Sequence, residues 1–319
     1  MSKFFIALSC VAVLLVLPTR VFIPCLEAGS GTTGAQFLKI APAARPLGMG
    51  GAYSAMAEDS NAVYYNPAGL SAVSKTEVGA TYLKYFQDIN YGFLSAVIPL
   101  KDSDITAGGG ITYLIVPDIE KRSATNDTLT PDGRFNATDT ALTLSLSHRN
   151  PVPSVLESLA LGANLKLINQ TIDDKSAFAA ALDIGGFYKI DERFSVAVGV
   201  VNISNGVKFI EKTDPLPLAL RAGTVYRPPV KDLTVALDID QYFIDQKLYA
   251  SVGAEYLVVK ILCLRAGYKY GYDIASLGST VGLAGGIGFK YYDLGIDYAF
   301  LPFGDLGDTH RVSFSLKFP

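Results

Sequence analysis

The sequence predicts an all-β fold: a transmembrane antiparallel β-barrel of about fourteen strands, with a partly helical N-terminal segment that is not part of the wall. Three observations predict it. Short segments of alternating hydrophobicity recur from about residue 76 to the end, the longer connections between them fall at odd-numbered positions, and aromatic residues collect at segment ends. Strands that show one face to lipid and the other to a lumen leave this pattern, because their side chains point to opposite sides in turn.

The chain opens on Lys3 and an apolar run, residues 4–17, ended by Pro18 and Arg20. This reads as a secretory signal over residues 1–28, with small residues Ala28, Gly29 and Ser30 offering cleavage positions. The run is short of the ~20 apolar residues that a spanning helix needs. Lipid attachment through Cys25 is the weaker reading, because Phe22 and Pro24 replace the residues such a signal wants. Export through the secretory pathway to the outer membrane is therefore expected, with outer-membrane lipid as the surroundings.

Composition agrees. Half of the residues are hydrophobic and 18% are charged, yet no later run has the length of a membrane helix. The 30 Gly, 18 Tyr and 17 Phe sit in short alternating segments, which favours strands. A net charge near −3 makes no electrostatic case for a nucleic-acid partner. Cys10 lies in the signal and Cys25 beside its end, which leaves Cys263 alone, with neither a disulfide framework nor a metal cluster in prospect.

The expected strands are 76–87, 89–100, 104–116, 137–149, 159–171, 176–190, 194–203, 216–227, 231–242, 246–257, 260–270, 279–290, 292–301 and 309–318. Fourteen is even, as bacterial single-chain barrels require. In the fifth, Leu159, Leu161, Ala163, Leu165 and Leu167 share a face, with Asn164 and Lys166 opposite. In the ninth, Leu233, Val235, Leu237 and Ile239 oppose Thr234, Asp238 and Asp240. The eleventh sets Leu262, Leu264, Ala266 and Tyr268 against Arg265 and Lys269; the last sets Val312, Phe314, Leu316 and Phe318 against Arg311, Ser313, Ser315 and Lys317. A soluble sandwich alternates too, but with its charged face in water. Alternation alone does not choose between them.

The connections do. Transmembrane barrels put long loops outside and short turns in the periplasm. The long connections, 117–136, 204–215, 271–278 and 302–308, are the third, seventh, eleventh and thirteenth; the nine-residue connection 150–158 is the exception. Tyr85, Phe86, Tyr242, Phe243, Tyr268 to Tyr272, Tyr291, Tyr292, Phe300 and Phe303 lie near segment ends, where ring and hydroxyl suit a half-wet interface. The segment from His310 to Phe318 is an amphipathic terminal strand of the kind that barrel-assembly machinery recognises, with Pro319 a slight departure.

Residues 29–75 do not alternate. They hold Gly48-Met49-Gly50-Gly51, then helix-like spacing up to Tyr65, then Asn66-Pro67-Ala68-Gly69-Leu70. Asp59 or Ser60 would cap a short helix and Asn66-Pro67 would stop it. A fourteen-stranded barrel is too wide to be filled by its own side chains. The division expected is a signal over 1–28, a hatch or plug over 29–75, and a barrel over 76–319.

The block from Gln36 to Leu70, with Ala44-Arg45-Pro46-Leu47-Gly48-Met49-Gly50-Gly51-Ala52-Tyr53, Ala57-Glu58-Asp59 and Ala62-Val63-Tyr64-Tyr65-Asn66-Pro67-Ala68-Gly69-Leu70, resembles the N-terminal signature of the PorV/PorQ family. That family belongs with the FadL-like outer-membrane barrels, which have fourteen strands and an N-terminal hatch. Tyr65 stands where Trp is commoner. The resemblance implies a hatch built on Arg45, Gly48, Gly50, Gly51, Asp59, Asn66, Pro67, Ala68 and Gly69. It also implies service in type IX protein secretion, with secretion components or cargo as partners. FadL relatives instead carry hydrophobic small molecules such as long-chain fatty acids, and a purely structural envelope barrel is the third alternative.

Enzyme chemistry has little support. The only histidines, His148 and His310, are not in a ligand-spaced cluster, and Asp238-Ile239-Asp240 with Asp245 lacks the rest of a calcium loop. No cofactor and no metal are expected. The glycines at 108–110 and at 282, 285, 286 and 288 have no strand–loop–helix context for phosphate, and read instead as places where strands bend or a plug comes close. Parity puts Lys166, Arg221, Arg265, Lys269 and Arg311 in the lumen, with Asp183, Asp238, Glu255 and Asp297. Five cations against four anions suit salt bridges, within the wall or to a plug bearing Lys39 and Arg45, better than the single-sign rings of an ion-selective pore.

Overall fold

The computed structural model describes residues 32–318 except 128, 154 and 155. The expected signal at 1–28 with its cleavage positions, Cys10, Cys25 and Pro319 lie outside the described residues. The first four strands are β1 (Thr76–Lys84), β2 (Asn90–Pro99), β3 (Ile105–Lys121) and β4 (Gly133–Arg149). Next come β5 (Leu159–Ile172), β6 (Lys175–Lys189), β7 (Phe194–Ile203), and the short β8 (Val207–Lys208) and β9 (Thr213–Asp214). The chain then gives β10 (Ala219–Tyr226), β11 (Leu233–Tyr242), β12 (Lys247–Val259), β13 (Leu262–Tyr270), β14 (Leu283–Tyr291), β15 (Leu294–Pro302) and β16 (Asp308–Phe318).

All but β8 and β9 form one closed antiparallel barrel in chain order. The fourteen expected strands are thus the fourteen observed. The seam is a full ladder from Thr76 opposite Phe318 to Lys84 opposite His310, so no edge is left open. Among the described residues no helix is long and apolar enough to cross a membrane; the crossing is by strands.

The faces settle the choice between barrel and sandwich. Leu161, Leu165 and Leu167 of β5 are exposed on the outside, while Asn164 and Lys166 are buried inside. Leu237, Leu264, Val312, Phe314 and Leu316 are likewise outside, and Asp238, Arg265 and Arg311 inside. An apolar outer face and a charged inner one suit lipid around the wall and contradict a water-facing exterior.

The strands differ from expectation in length. β3 and β4 have 17 residues each, against 9 in β1. β2 pairs with β3 only as far as Ile115, so residues 116–121 pair with β4 alone and the hairpin stands above the rim. The connection expected at 117–136 shrinks to 122–132, because the polar residues Asp118, Glu120, Arg134 and Asn136 break the hydrophobic pattern without breaking the ladder. The three longest connections, 122–132, 204–218 and 271–282, open at one end of the barrel, called here the long-loop end; 150–158 remains the longest at the other.

Residues 32–75 run inside the wall, from the long-loop end toward the start of β1. Their helices are short: 3-10 turns at Gln36–Lys39 and Pro67–Ala72, and α-helices at Ala44–Gly48 and Ala62–Tyr65. The helix expected over much of 52–65 is confined to its last turn. Neither Asp59 nor Ser60 stands at the N-cap position; Asn61 does, without a side-chain capping bond, and the Asp59 carboxylate accepts the Asn61 N–H at 3.0 Å. Phe37, Met49, Tyr53, Val63 and Leu70 are fully buried in the core between segment and wall.

Candidate functional site, the filled lumen

The N-terminal segment seats where the wall is bare. A Cβ on Gly267 would lie 2.1 Å from the carbonyl carbon of Met49, and one on Gly253 2.3 Å from its oxygen. Gly162 and Gly185 leave room in the same way for Ala68 and Asn66. Gly48 meets Gly286 backbone to backbone. Gly50 and Gly51 turn the chain at φ +66° and +90°, a region L side chains seldom enter. The Asn-Pro-Ala-Gly-Leu piece is equally local in its reasons. Asn66 Oδ1 accepts the Ala68 N–H at 3.1 Å, and Pro67 opens the 3-10 turn where its missing donor costs nothing. A Cβ on Gly69 would meet the Ala57 carbonyl oxygen at 1.9 Å.

Irregular backbone buried in a lumen needs partners, and the wall supplies them. Asp238 Oδ2 accepts the N–H groups of Tyr53 (3.0 Å) and Ser54 (2.7 Å). Glu77 accepts from Ser60 N at 3.0 Å, and Ser313 Oγ from Ala44 N at 2.8 Å. Asn164 donates to Val63 O, Arg221 to Tyr64 O, Ser147 to Ala68 O and Arg311 to Ala41 O.

One ionic network ties segment to wall. Arg45 grips both oxygens of Glu255, at 3.0 Å from Nε and 2.9 Å from Nη2, and reaches Asp59 at 2.8 Å. Arg265 shares Glu255 at 2.6 Å and bonds Asp297 at 2.7 Å. Tyr53 donates its hydroxyl to Asp59, and burial holds that phenol well above its usual pKa, so the donor stays protonated. Lys166 and Asp183 pair at 2.8 Å in a separate cluster with Asn164 and Asn202, within the wall. Arg221 and Lys269 both face Asp240, at 3.3 and 3.9 Å, and Lys39 meets Asp245 at 3.0 Å. Asp59, Glu255 and Arg265 are thus brought together with Arg45 and Asp297, while Lys166 and Asp183 stand apart. Among the described residues no cluster is arranged to hold a metal.

A cavity of about 230 Å³ remains at the long-loop end. Its floor includes Ala41, Gly51, Tyr64 and Tyr65 of the segment, and its walls carry Arg221, Asp240 and Arg311. Tyr85, Phe303, Tyr272, Tyr249 and Tyr242 close an arc over it, each ring 5.5–6.3 Å from the next. This corrects the expected aromatic girdle. Tyr270, Tyr291, Tyr292 and Phe300 are on the outer surface, but Tyr85, Tyr242, Tyr272 and Phe303 turn inward and line the cavity. Tyr242 continues the inward row of Asp238 and Asp240 on β11, and Tyr85 and Phe303 continue the inward rows of β1 and β15 past the strand ends, while Tyr272 departs from the alternation of β13. Glu77 and Tyr249 are lumen residues that the sequence left unassigned; Asp240, which alternation sets on the face of Asp238, joins the lumen charges.

Solved structures that resemble this fold include three outer-membrane proteins. The Ralstonia pickettii toluene transporter TbuX aligns with TM-score 0.58 and 13% identity, over 86% of this chain and 97% of that one. A Pseudomonas aeruginosa FadL homologue gives 0.57 and 13%, over 87% and 98%. The Pseudomonas putida toluene transporter TodX gives 0.54 and 14%, over 82% and 95%. No curated protein sequence matches the chain. The family model described as type IX secretion system protein PorV matches residues 27–223, which take in the glycine-rich turn, the Asn-Pro-Ala-Gly-Leu piece and the tall strands β3 to β6. The chain belongs to the PorV family and is an outer-membrane β-barrel of FadL-like fold.

Proposed function

We propose that the protein is a non-enzymatic component of type IX protein secretion that works by binding, while the segment ending at Lys75 acts as a hatch and keeps the lumen closed. The observation that carries this is the match to the PorV model over residues 27–223. The filled lumen supports a binding role over a conducting one, since its charges, Arg311 apart, are paired with the segment or with each other. With the long loops outside, the tall β3–β4 hairpin and the 204–218 connection offer the binding surface to secretion components or cargo. Insertion would use β16 as the strand that barrel-assembly machinery recognises.

The test is a pull-down of the tagged protein from a bacterium that has type IX secretion. Recovery of its components or cargo is the expected result, and recovery of none from a well-expressed bait would refute the reading. A second reading, transport of hydrophobic small molecules such as long-chain fatty acids, is favoured by the likeness to toluene transporters and by the cavity at the long-loop end. Saturable binding of a long-chain fatty acid by the purified protein would favour it. A structural envelope barrel would show neither behaviour.

A further inference from the structure

The cavity holds a cation that the protein does not neutralise. Of the buried lumen cations, Lys166 faces Asp183, Arg221 faces Asp240, and Arg265 faces Glu255 and Asp297. Arg311 is 3% exposed, and among the described residues no carboxylate lies within 4.0 Å of it. Its Nη1 donates to the Ala41 carbonyl, but its Nε has no partner. Nor does a ring lie beneath it as Tyr64 lies beneath Arg221, at 4.8 Å. A buried charge without a partner is costly, and removal of water around it makes an incoming anion more strongly attracted.

The space beside Arg311 sets the rest of the ligand. Tyr65, Tyr85, Tyr272, Leu301 and Phe303 line it with aromatic and aliphatic surface. A cavity of roughly 150 Å³ is enough for benzene. The 230 Å³ here takes a ring with one small polar substituent and is too short for a long acyl chain to enter whole. We infer that the cavity binds a small ring-bearing carboxylate, its anionic end on the Arg311 guanidinium and its ring among Tyr65, Tyr85, Tyr272 and Phe303. This holds whether or not the secretion reading does.

The test uses the full-length protein, purified in detergent, with radiolabelled benzoate in equilibrium dialysis at pH 7. Saturable binding is expected, with unlabelled benzoate competing and the neutral isostere benzamide competing at least about tenfold less well, since a charge-assisted bond is lost. Arg311→Gln should weaken binding by about tenfold or more and Arg311→Lys should restore most of it, both variants being first shown to fold by their heat-dependent gel shift. Absence of saturable binding, equal competition by benzamide, or full binding by a folded Arg311→Gln variant would each overturn the inference. The benzamide comparison needs no variant and decides the question even if Arg311→Gln does not fold.

Discussion

Two guanidiniums share one carboxylate at Glu255, one from the N-terminal segment and one from the wall. The arrangement makes Arg45 more than a decorated turn: it bridges Glu255 on β12 to Asp59 fourteen residues along its own segment. Removing one partner of a buried pair leaves the other charged in a dry place, at a cost of about 3–5 kcal/mol. Arg45→Met should therefore lower thermal stability and make the segment cleavable by protease while the wall stays intact. A variant with wild-type melting and an uncut segment would show that the network is incidental. The charges themselves were legible in the sequence, because strand parity assigns each to the lumen. Their partners were not: which inner residues meet across the lumen depends on strand register and on how the segment lies, and neither leaves a trace in local pattern. Arg311 illustrates the limit, since its parity is plain but its want of a carboxylate partner is not.

At the scale of elements, the wall and the segment were made for each other by subtraction. Glycines on β5, β6, β12, β13 and β14 create the seats into which the segment's backbone fits. Gly267→Val should leave a folded, heat-modifiable barrel but displace the Met49–Gly50 turn, since even a Cβ there would overlap the Met49 carbonyl carbon. Increased protease access to residues near 49 would be the sign, and unchanged access would mean that the wall can yield at β13. Strand count was readable because every strand keeps one lipid-facing row of apolar residues. The height of β3 and β4 was not, because above the membrane that requirement lapses and polar residues continue the ladder. Tyr272 was hidden in a connection where no period operates, whereas Tyr85 and Phe303 continue the inward rows of β1 and β15.

Taken as a whole, the molecule is a wide barrel whose interior is occupied by its own chain. Fourteen strands without an occupant would enclose a water-filled passage. The buried core of residues 32–75, the ionic network and the aromatic arc at the long-loop end all oppose one. Conductance of the intact protein in a planar lipid bilayer tests this most directly. The account predicts a silent bilayer, with no lasting open steps from correctly folded protein. Stable, large-conductance openings from the unmodified chain would contradict it.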